Sequence, residues 1–204
     1  MRSGLSVIRV LGAAESPKNV AAIILAAGAS KRLGTPKQLV LFGGERLLDR
    51  AVRVAHEAGC APVIVVLGSS AAAIRADCTL RDTLILTNDG WLEGMASSIR
   101  VGASAVSGSI DGVTLMTCDQ PGVTSLHLRR LIESGAEEPT ASLYKEKRGV
   151  PAYFPIRYLQ ALLELQGDEG AGKLLRFAEA IDLPWGEIDI DTEPALLSAR
   201  SLFD

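Results

Sequence analysis

Small and charged residues follow the first predicted strand in a pattern that could hold a phosphate chain. Gly28 and Gly34 stand six residues apart, and Lys31, Arg32 and Lys37 bring three cations into the same stretch. Backbone N–H groups in such a loop can wrap phosphates, and small side chains let the backbone approach closely. The spacing is neither that of a Walker A loop nor that of a dinucleotide-binding G-x-G-x-x-G motif. A glycine-rich loop with solvated charges is the alternative interpretation.

Carboxylates in two later segments could hold a divalent cation. Asp119 follows a buried strand in the stretch Thr117-Cys-Asp-Gln-Pro121, a position suited to Mg²⁺, which binds through one or two carboxylates plus substrate phosphates. The alternative is an Asp that only forms the turn before Gln-Pro. In Glu187-Ile-Asp-Ile-Asp191 the alternation predicts a strand with its three carboxylates on one face. Two roles are equally open for Asp191: it could bind the metal, or it could cap the last helix, a role that Thr192 could also fill.

A third polar segment follows another predicted strand. Asn88 opens it, and Gly94, Ser97 and Ser98 lie at the start of the helix that comes next. Hydroxyl and free N–H groups at a helix N-terminus could hold a base or ribose edge. Simple capping of the helix by Ser97 or Ser98 is the alternative.

Strands and helices alternate along the chain, and three of the polar segments, residues 28–37, 88–98 and 118–122, directly follow predicted strands. Buried strands are predicted at Val20–Ala27, Pro62–Leu67, Thr83–Thr87 and Val113–Thr117, with helices between them, as is typical of an α/β fold with a mostly parallel sheet. Strands at 140–144 and 150–154, helical stretches at 158–165 and 171–180, and a final strand and helix follow. Ligands of such sheets bind beyond the carboxyl ends of the strands, where all three segments lie. We expect one domain over residues 20–204, with a lead over residues 1–19.

Composition excludes several classes of protein. The formal net charge is −3 and aromatic residues make up 4% of the 204 residues, which argues against a nucleic-acid-binding protein. The longest apolar run has eight residues, too few for a membrane span, and no signal peptide is evident. Three cysteines without CxxC spacing indicate a reducing, cytoplasmic environment. Two histidines leave little material for a catalytic triad.

Taken together, these motifs resemble the MobA-like NTP transferases, and within them the branch of molybdenum cofactor cytidylyltransferase. The similarity runs from about Val20 to Leu197 and is carried by the stretch from Leu25 to Leu39, the segment Asn88 to Ser98, Cys118-Asp-Gln-Pro121, Gly167-Asp-Glu-Gly-Ala171 and Asp189-Ile-Asp-Thr192. It implies a single-domain, Rossmann-like, three-layer α/β/α fold whose sheet has one antiparallel strand.

The resemblance also implies the roles of individual residues. Arg32, Lys37 and Asp119 would be catalytic, Arg32 and Lys37 lying on the phosphates, and Asp119 and Asp191 would hold Mg²⁺. Ser98 matches a serine that contacts cytosine in related enzymes, and the Leu-Ala-Ala-Gly form of the loop is associated with CTP. Together with Lys37 and Asp119, the nucleotide would contact Leu25, Ala26, Ala27, Gly28, Ser30, Asn88, Gly94, Ser97 and Ser98. The acceptor would contact Gly149, Pro151, Gly167, Asp168 and Gly170.

The implied activity is transfer of CMP from CTP, or of another NMP from its NTP, to the phosphate of molybdopterin, with release of pyrophosphate. Two departures from the family pattern bear on the acceptor: Val150 stands where many cytidylyltransferases have histidine, and Gly172 where they usually have arginine. A sugar phosphate or another small phosphorylated acceptor is therefore an alternative. So is a non-catalytic nucleotide-binding partner of a molybdoenzyme.

Overall fold

A computed structural model describes residues 17–203 and contains nine strands. Residues 1–16 and 204, and with them most of the predicted lead, lie outside the described residues. The strands are β1 (Val20–Ala26), β2 (Leu41–Phe42), β3 (Glu45–Arg46), β4 (Val63–Leu67), β5 (Thr83–Thr87), β6 (Gly112–Thr117), β7 (Thr140–Tyr144), β8 (Lys147–Pro155) and β9 (Glu179–Asp182).

Six α-helices join these strands within the described part of the chain. They are α1 (Leu47–Glu57), α2 (Ala71–Asp77), α3 (Met95–Ser104), α4 (Ser125–Ser134), α5 (Leu159–Leu163) and α6 (Glu193–Phe203). Among the residues described, no helix has both the length and the apolar character needed to cross a bilayer.

Seven strands form one sheet in the order β5-β4-β1-β6-β8-β7-β9. β1 pairs in parallel with β4 and β6, which places it at the centre, and β4 pairs in parallel with β5. β8 runs antiparallel to both of its neighbours, β6 and β7, whereas β9 is parallel to β7. The predicted three-layer α/β/α architecture with a mostly parallel sheet and one antiparallel strand is confirmed.

The central strand is buried on both faces, as its continuous apolar run predicts. Ala22 and Ile24 pack into a core cluster with α1 and α4, whereas Ile23 and Leu25 pack into a second cluster with α3 and α5. Gly102 of α3 lies so close to the sheet that a Cβ there would be 2.5 Å from Ile23 Cγ2. Tight packing on both faces fixes the position of the carboxyl end of β1 and therefore of the loop that follows it.

Two predicted elements are wrong. The stretch 171–180 is not one helix: it begins with the single 3₁₀ turn Ala171–Lys173 and ends in the edge strand β9. Glu187–Asp191 is an irregular segment outside the sheet that begins in a turn. Of its two isoleucines, Ile190 is fully buried against Leu47 and Ala199, whereas Ile188 is half-buried. In both places pairing with distant parts of the chain, rather than local periodicity, decides the backbone conformation.

Candidate active site

The loop after β1 presents a row of unused backbone donors. Among the described residues, none of the N–H groups from Gly28 to Arg32 donates a hydrogen bond. The loop is held instead through its oxygens: Ser30 O accepts from the N–H of Leu33 (3.0 Å) and Gly34 (3.2 Å), and Ser30 Oγ accepts from Lys37 N (3.0 Å). Successive free N–H groups on a folded-back loop form a concave anion site.

An ionic cluster stands beside this loop. Lys37 Nζ donates to Asp119 Oδ2 and, at 2.7 Å, to Asp191 Oδ1. Arg32 Nη2 donates to Asp191 Oδ2 at 2.8 Å. Lys37 comes from the turn after the glycine loop, Asp119 from the end of β6, and Asp191 from the segment before α6. The structure therefore brings together the four side chains predicted to act on phosphate and metal.

Neighbouring charges shift the protonation of this cluster. Burial alone would lower the pKa of Lys37, but the charges and hydrogen bonds of Asp119 and Asp191 outweigh it and raise the pKa above the usual lysine range. Lys37 is thus firmly cationic. Partial desolvation, followed by repulsion from Asp119 and Asp191, raises the pKa of Asp189 to about 6, although Asp189 remains exposed to solvent. Extra negative charge is unfavourable here, as expected where carboxylates crowd together.

The donor set fits a divalent cation that also binds substrate oxygens. Asp119 Oδ1 is buried and has no hydrogen-bond partner among the described residues, so an acceptor oxygen is left for a ligand. Within the same part of the chain, no three His, Cys, Asp or Glu side chains converge into a self-sufficient metal site. Two carboxylates, from Asp119 and Asp191, suit Mg²⁺ or a similar hard cation, which keeps positions for phosphates. Asp191 does not cap α6, because Thr192 Oγ1 accepts the Ala195 N–H at 3.3 Å.

The third polar segment is organised by Asn88. Its Nδ2 donates to Ser97 Oγ (2.8 Å) and Ser98 Oγ (3.0 Å), and all three side chains are buried. The alternative reading of Ser97 and Ser98 as helix caps is wrong, because Gly94 occupies the N-cap of α3 and no side chain caps it. Asn88 instead fixes both hydroxyls.

These segments surround a cavity of about 520 Å³ at the carboxyl ends of the strands. Nine predicted site residues line it: Leu25, Ala26, Ala27, Gly28, Lys37, Gly94, Ser98, Asp119 and Asp168. The other nine do not line it: Ser30, Arg32, Asn88, Ser97, Gly149, Pro151, Gly167, Gly170 and Asp191. Ser30, Asn88, Ser97 and Asp191 nonetheless form hydrogen bonds with residues of the wall, and Arg32 is linked to the wall through Asp191.

The predicted acceptor residues divide into two groups. Gly167 O accepts the Ala96 N–H at 3.3 Å, and a Cβ on Gly94 would lie 2.6 Å from the Cα of Asp168, so this loop packs directly on the start of α3. Gly149 and Pro151 lie on β8, away from the cavity lining. There Pro151 O accepts a hydrogen bond from Ser142 Oγ at 2.6 Å.

Sequence reasoning missed two features of the cavity wall. Gln38 lines the cavity although its side chain is fully buried, and Trp91, Leu92 and Met95 form an apolar wall in which Leu92 is 76% exposed. The sequence shows a glutamine directly after Lys37, in the stretch Pro36-Lys-Gln-Leu39, but it does not show that this side chain is buried. Nor does it show the partners of that side chain in the loop.

Comparisons with known proteins agree with this geometry. The MobA-like NTP transferase domain model matches residues 22–182. The chain is 33% identical to nicotine blue oxidoreductase of Paenarthrobacter nicotinovorans over 167 residues, covering 77% of this chain and 81% of that protein. It is 28% identical to a "probable molybdenum cofactor guanylyltransferase" of Opitutus terrae over 169 residues, 79% of each chain.

Among solved structures, Rv0371c from Mycobacterium tuberculosis superposes with a TM-score of 0.80 at 33% identity, covering 91% of this chain and all of that one. The same protein in complex with manganese gives a TM-score of 0.76 at 31% identity, covering 90% and 98% of the two chains. Manganese is thus bound by a protein that shares this fold at 31% sequence identity. The family model spans most of the chain, from β1 to β9, a range that contains the glycine loop, Lys37 and Asp119 but not Asp191. The chain therefore belongs to the MobA-like NTP transferase family.

Proposed function

We propose that this protein is a Mg²⁺-dependent cytidylyltransferase that transfers CMP from CTP to the phosphate of molybdopterin and releases pyrophosphate. The observation that carries the proposal is the placement of Lys37, which lines the cavity, between the carboxylates of Asp119 and Asp191. This arrangement pairs carboxylates for a divalent cation with a lysine for phosphates. The row of free N–H groups from Gly28 to Arg32 adds the anion site that a triphosphate requires.

The chain's residues have defined tasks in this reaction. An acceptor phosphate oxygen attacks the α-phosphorus, the bond to pyrophosphate breaks, and no side-chain nucleophile is needed. An ammonium group has three N–H donors, and Lys37 uses two on carboxylates, so the third is available to a phosphate oxygen. Arg32 would neutralise charge on the leaving pyrophosphate. A divalent cation on Asp119 and Asp191 would supply further charge neutralisation when bound.

The choice of CTP and molybdopterin rests on narrower support. Leu25, Ala26, Ala27 and Gly28 all line the cavity, as does Ser98, and this shared lining supports a base-binding role for the residues associated with cytosine. Molybdopterin is supported by the relative named for the molybdenum cofactor, although that relative is named a guanylyltransferase. A substrate screen must therefore distinguish CTP from other NTPs. It must also distinguish molybdopterin from sugar phosphates and other small phosphorylated acceptors.

The experiment is a matrix of CTP, GTP, ATP and UTP against molybdopterin and several sugar phosphates, with Mg²⁺ or Mn²⁺, in which released pyrophosphate is measured. We expect release only with CTP, molybdopterin and metal together. Pyrophosphate released with a sugar phosphate and never with molybdopterin would reject the acceptor. Release with GTP in place of CTP would reject the nucleotide.

The Asp119→Asn variant tests whether the protein is an enzyme of this kind. We expect a rate loss of more than about 10²-fold with the fold retained, because one electrostatic stabiliser is removed. Asp77→Asn, which changes an exposed carboxylate at the end of α2, is the matched control and should keep the wild-type rate. A non-catalytic partner of a molybdoenzyme would instead show no turnover in wild type and keep its cellular role in both variants.

Nicotine blue oxidoreductase gives a second candidate function, because it shares 33% identity over most of both chains. The apolar wall of Trp91, Leu92 and Met95 would suit a planar substrate ring as well as a nucleobase. Consumption of reduced nicotinamide cofactor in the presence of planar aromatic dyes, together with silence in the pyrophosphate assay, would favour an oxidoreductase.

A further inference from the structure

Gln38 is a polar side chain with no exposed surface, set between the cavity and the sheet. It lies in the single 3₁₀ turn Lys37–Leu39, directly after the lysine of the ionic cluster. Burying an amide is costly unless it is hydrogen-bonded, so its partners indicate what it does.

Those partners are the carbonyls of the glycine loop. Gln38 Nε2 donates to Ala26 O at 2.7 Å and to Gly28 O at 3.3 Å. Carbonyl oxygens only accept, so the amide nitrogen, not the amide oxygen, must face them. The carbonyl between them, Ala27 O, accepts from Ser69 N at 3.0 Å. Three successive carbonyls at the start of the loop are thereby tied to the body of the protein.

Tying the carbonyls also directs the N–H groups. In a planar trans peptide each N–H points opposite to the carbonyl of the preceding residue. The N–H of Gly28 is therefore turned away from Ser69, and the N–H of Ala29 away from Gln38. Both N–H groups belong to the row that donates no hydrogen bond among the described residues.

We propose that Gln38 is a positioning residue that holds the glycine loop with its N–H groups turned toward the nucleotide phosphates. The proposal rests on the proposed function for the identity of the ligand, and on the hydrogen bonds of Gln38 for the mechanism. Because Gln38 adjoins Lys37, one short turn sets both the N–H row and the ammonium group. The amide nitrogen of Gln38 donates only to the loop carbonyls and not to the ionic cluster. Gln38 therefore influences nucleotide binding through the conformation of the loop.

The first test measures CTP binding in the presence of Mg²⁺ by calorimetry. Gln38→Met keeps a similar volume but removes the donors, and we expect Kd to rise at least about tenfold while kcat at saturating CTP changes less than about threefold. Ile64→Val, a small change in the centre of β4, is the control for general loss of stability and should leave Kd unchanged. A Kd for Gln38→Met within about twofold of wild type would overturn the proposal.

The second test does not depend on any ligand. Lys31 and Arg32 are trypsin sites in the exposed part of the loop, so the rate of native-state cleavage after them reports how firmly the loop is held. We expect cleavage there to be at least about threefold faster in Gln38→Met than in wild type and Ile64→Val, with cleavage after Arg81 unchanged. Equal loop cleavage in all three proteins would overturn the positioning role.

The two tests separate failure of the inference from failure of the function. Should wild type not bind CTP while loop cleavage accelerates in Gln38→Met, the proposed function fails and the role of Gln38 stands. Should Gln38→Met not fold, Gln38→Glu serves instead, since a protonated carboxyl can donate one hydrogen bond. Loop cleavage faster than in wild type would then support the proposal, and the wild-type rate would contradict it.

Discussion

Replacing Lys37 with Met should destabilise the folded protein. The substitution leaves the carboxylates of Asp119 and Asp191 without the ammonium group that bridges them. Arg32 still contacts Asp191, but Asp119 pairs with no cation other than Lys37 among the described residues. The cost therefore falls mainly on Asp119, whose oxygen Oδ1 is already buried and unpaired.

The magnitude follows from how far the cluster is buried. The exposed fractions of the side chains are 17% for Lys37, 11% for Asp119 and 33% for Asp191. Removing one partner of a fully buried pair costs about 3–5 kcal/mol, whereas an exposed pair contributes about 0–1 kcal/mol. For this partly buried cluster we expect a loss of about 2 kcal/mol. A domain of this size loses about 2–4 °C in Tm per kcal/mol, so Tm should fall by about 4–8 °C.

Thermal unfolding of the metal-free protein at pH 7 measures this loss. Lys31→Met is the matched control, because Lys31 is exposed in the same loop and forms no ion pair among the described residues. Its Tm should stay within about 1 °C of wild type. If Lys37→Met also unfolded within 1 °C of wild type, the bridge would contribute nothing to stability and the reasoning on burial would be refuted.

Three further outcomes follow from single residues elsewhere. In Trp185→Phe the fluorescence comes from Trp91 alone, and CTP should change its intensity because Trp91 lines the cavity; in Trp91→Phe the CTP response should disappear. Burial, with a smaller contribution from a nearby arginine, lowers the pKa of His127 to about 4, so the free energy of unfolding should fall by about 3 kcal/mol between pH 6.5 and 4. Below pH 6.5 His127 binds a proton in the unfolded chain but not in the folded one, so acid favours unfolding. Urea titrations of wild type and His127→Gln at both pH values measure this loss of unfolding free energy. An equal loss in the two proteins would contradict the prediction. Gly94→Ala should weaken CTP binding at least about tenfold, since its φ is +122° and a Cβ would lie 2.6 Å from Gly167 O, whereas Gly90→Ala should bind normally; equal affinities would contradict the predicted clash.

The sheet and the position of the site could be predicted from the sequence because each depends on local patterns. The apolar run of β1 is buried on both faces, and parallel strands bring their carboxyl ends to one edge. That rule alone brings the segments that begin near Gly28, Asn88 and Asp119 to one edge of the sheet, although they are far apart in the chain. The resemblance then supplied candidate roles for them.

The rest depends on contacts that no local pattern contains. β9 forms because it pairs with β7, and its sequence reads equally well as the end of a helix. Lys37 and Asp191 are 154 residues apart, so only the folded chain shows that one ammonium group joins Asp191 to Asp119. The role of Gln38 could not be predicted for the same reason, since it depends on the hydrogen bonds that the side chain donates to the carbonyls of Ala26 and Gly28.

The charges of the cluster explain how a protein of net charge −3 could handle a polyanion. The cations Arg32 and Lys37 are cancelled by Asp119 and Asp191, so the cluster by itself has no surplus of positive charge for a triphosphate. Attraction must come from groups whose charge is not already compensated. In the described part of the loop these are the N–H row from Gly28 to Arg32 and the side chain of Lys31, which forms no ion pair. When the carboxylates are neutralised by a divalent cation, the released side chains of Arg32 and Lys37 join them. Recognition of a triphosphate would thus depend on Arg32 and Lys37 exchanging carboxylate partners for phosphate partners within a few ångströms. At such short range these local contacts, and not the net charge of the chain, decide the binding.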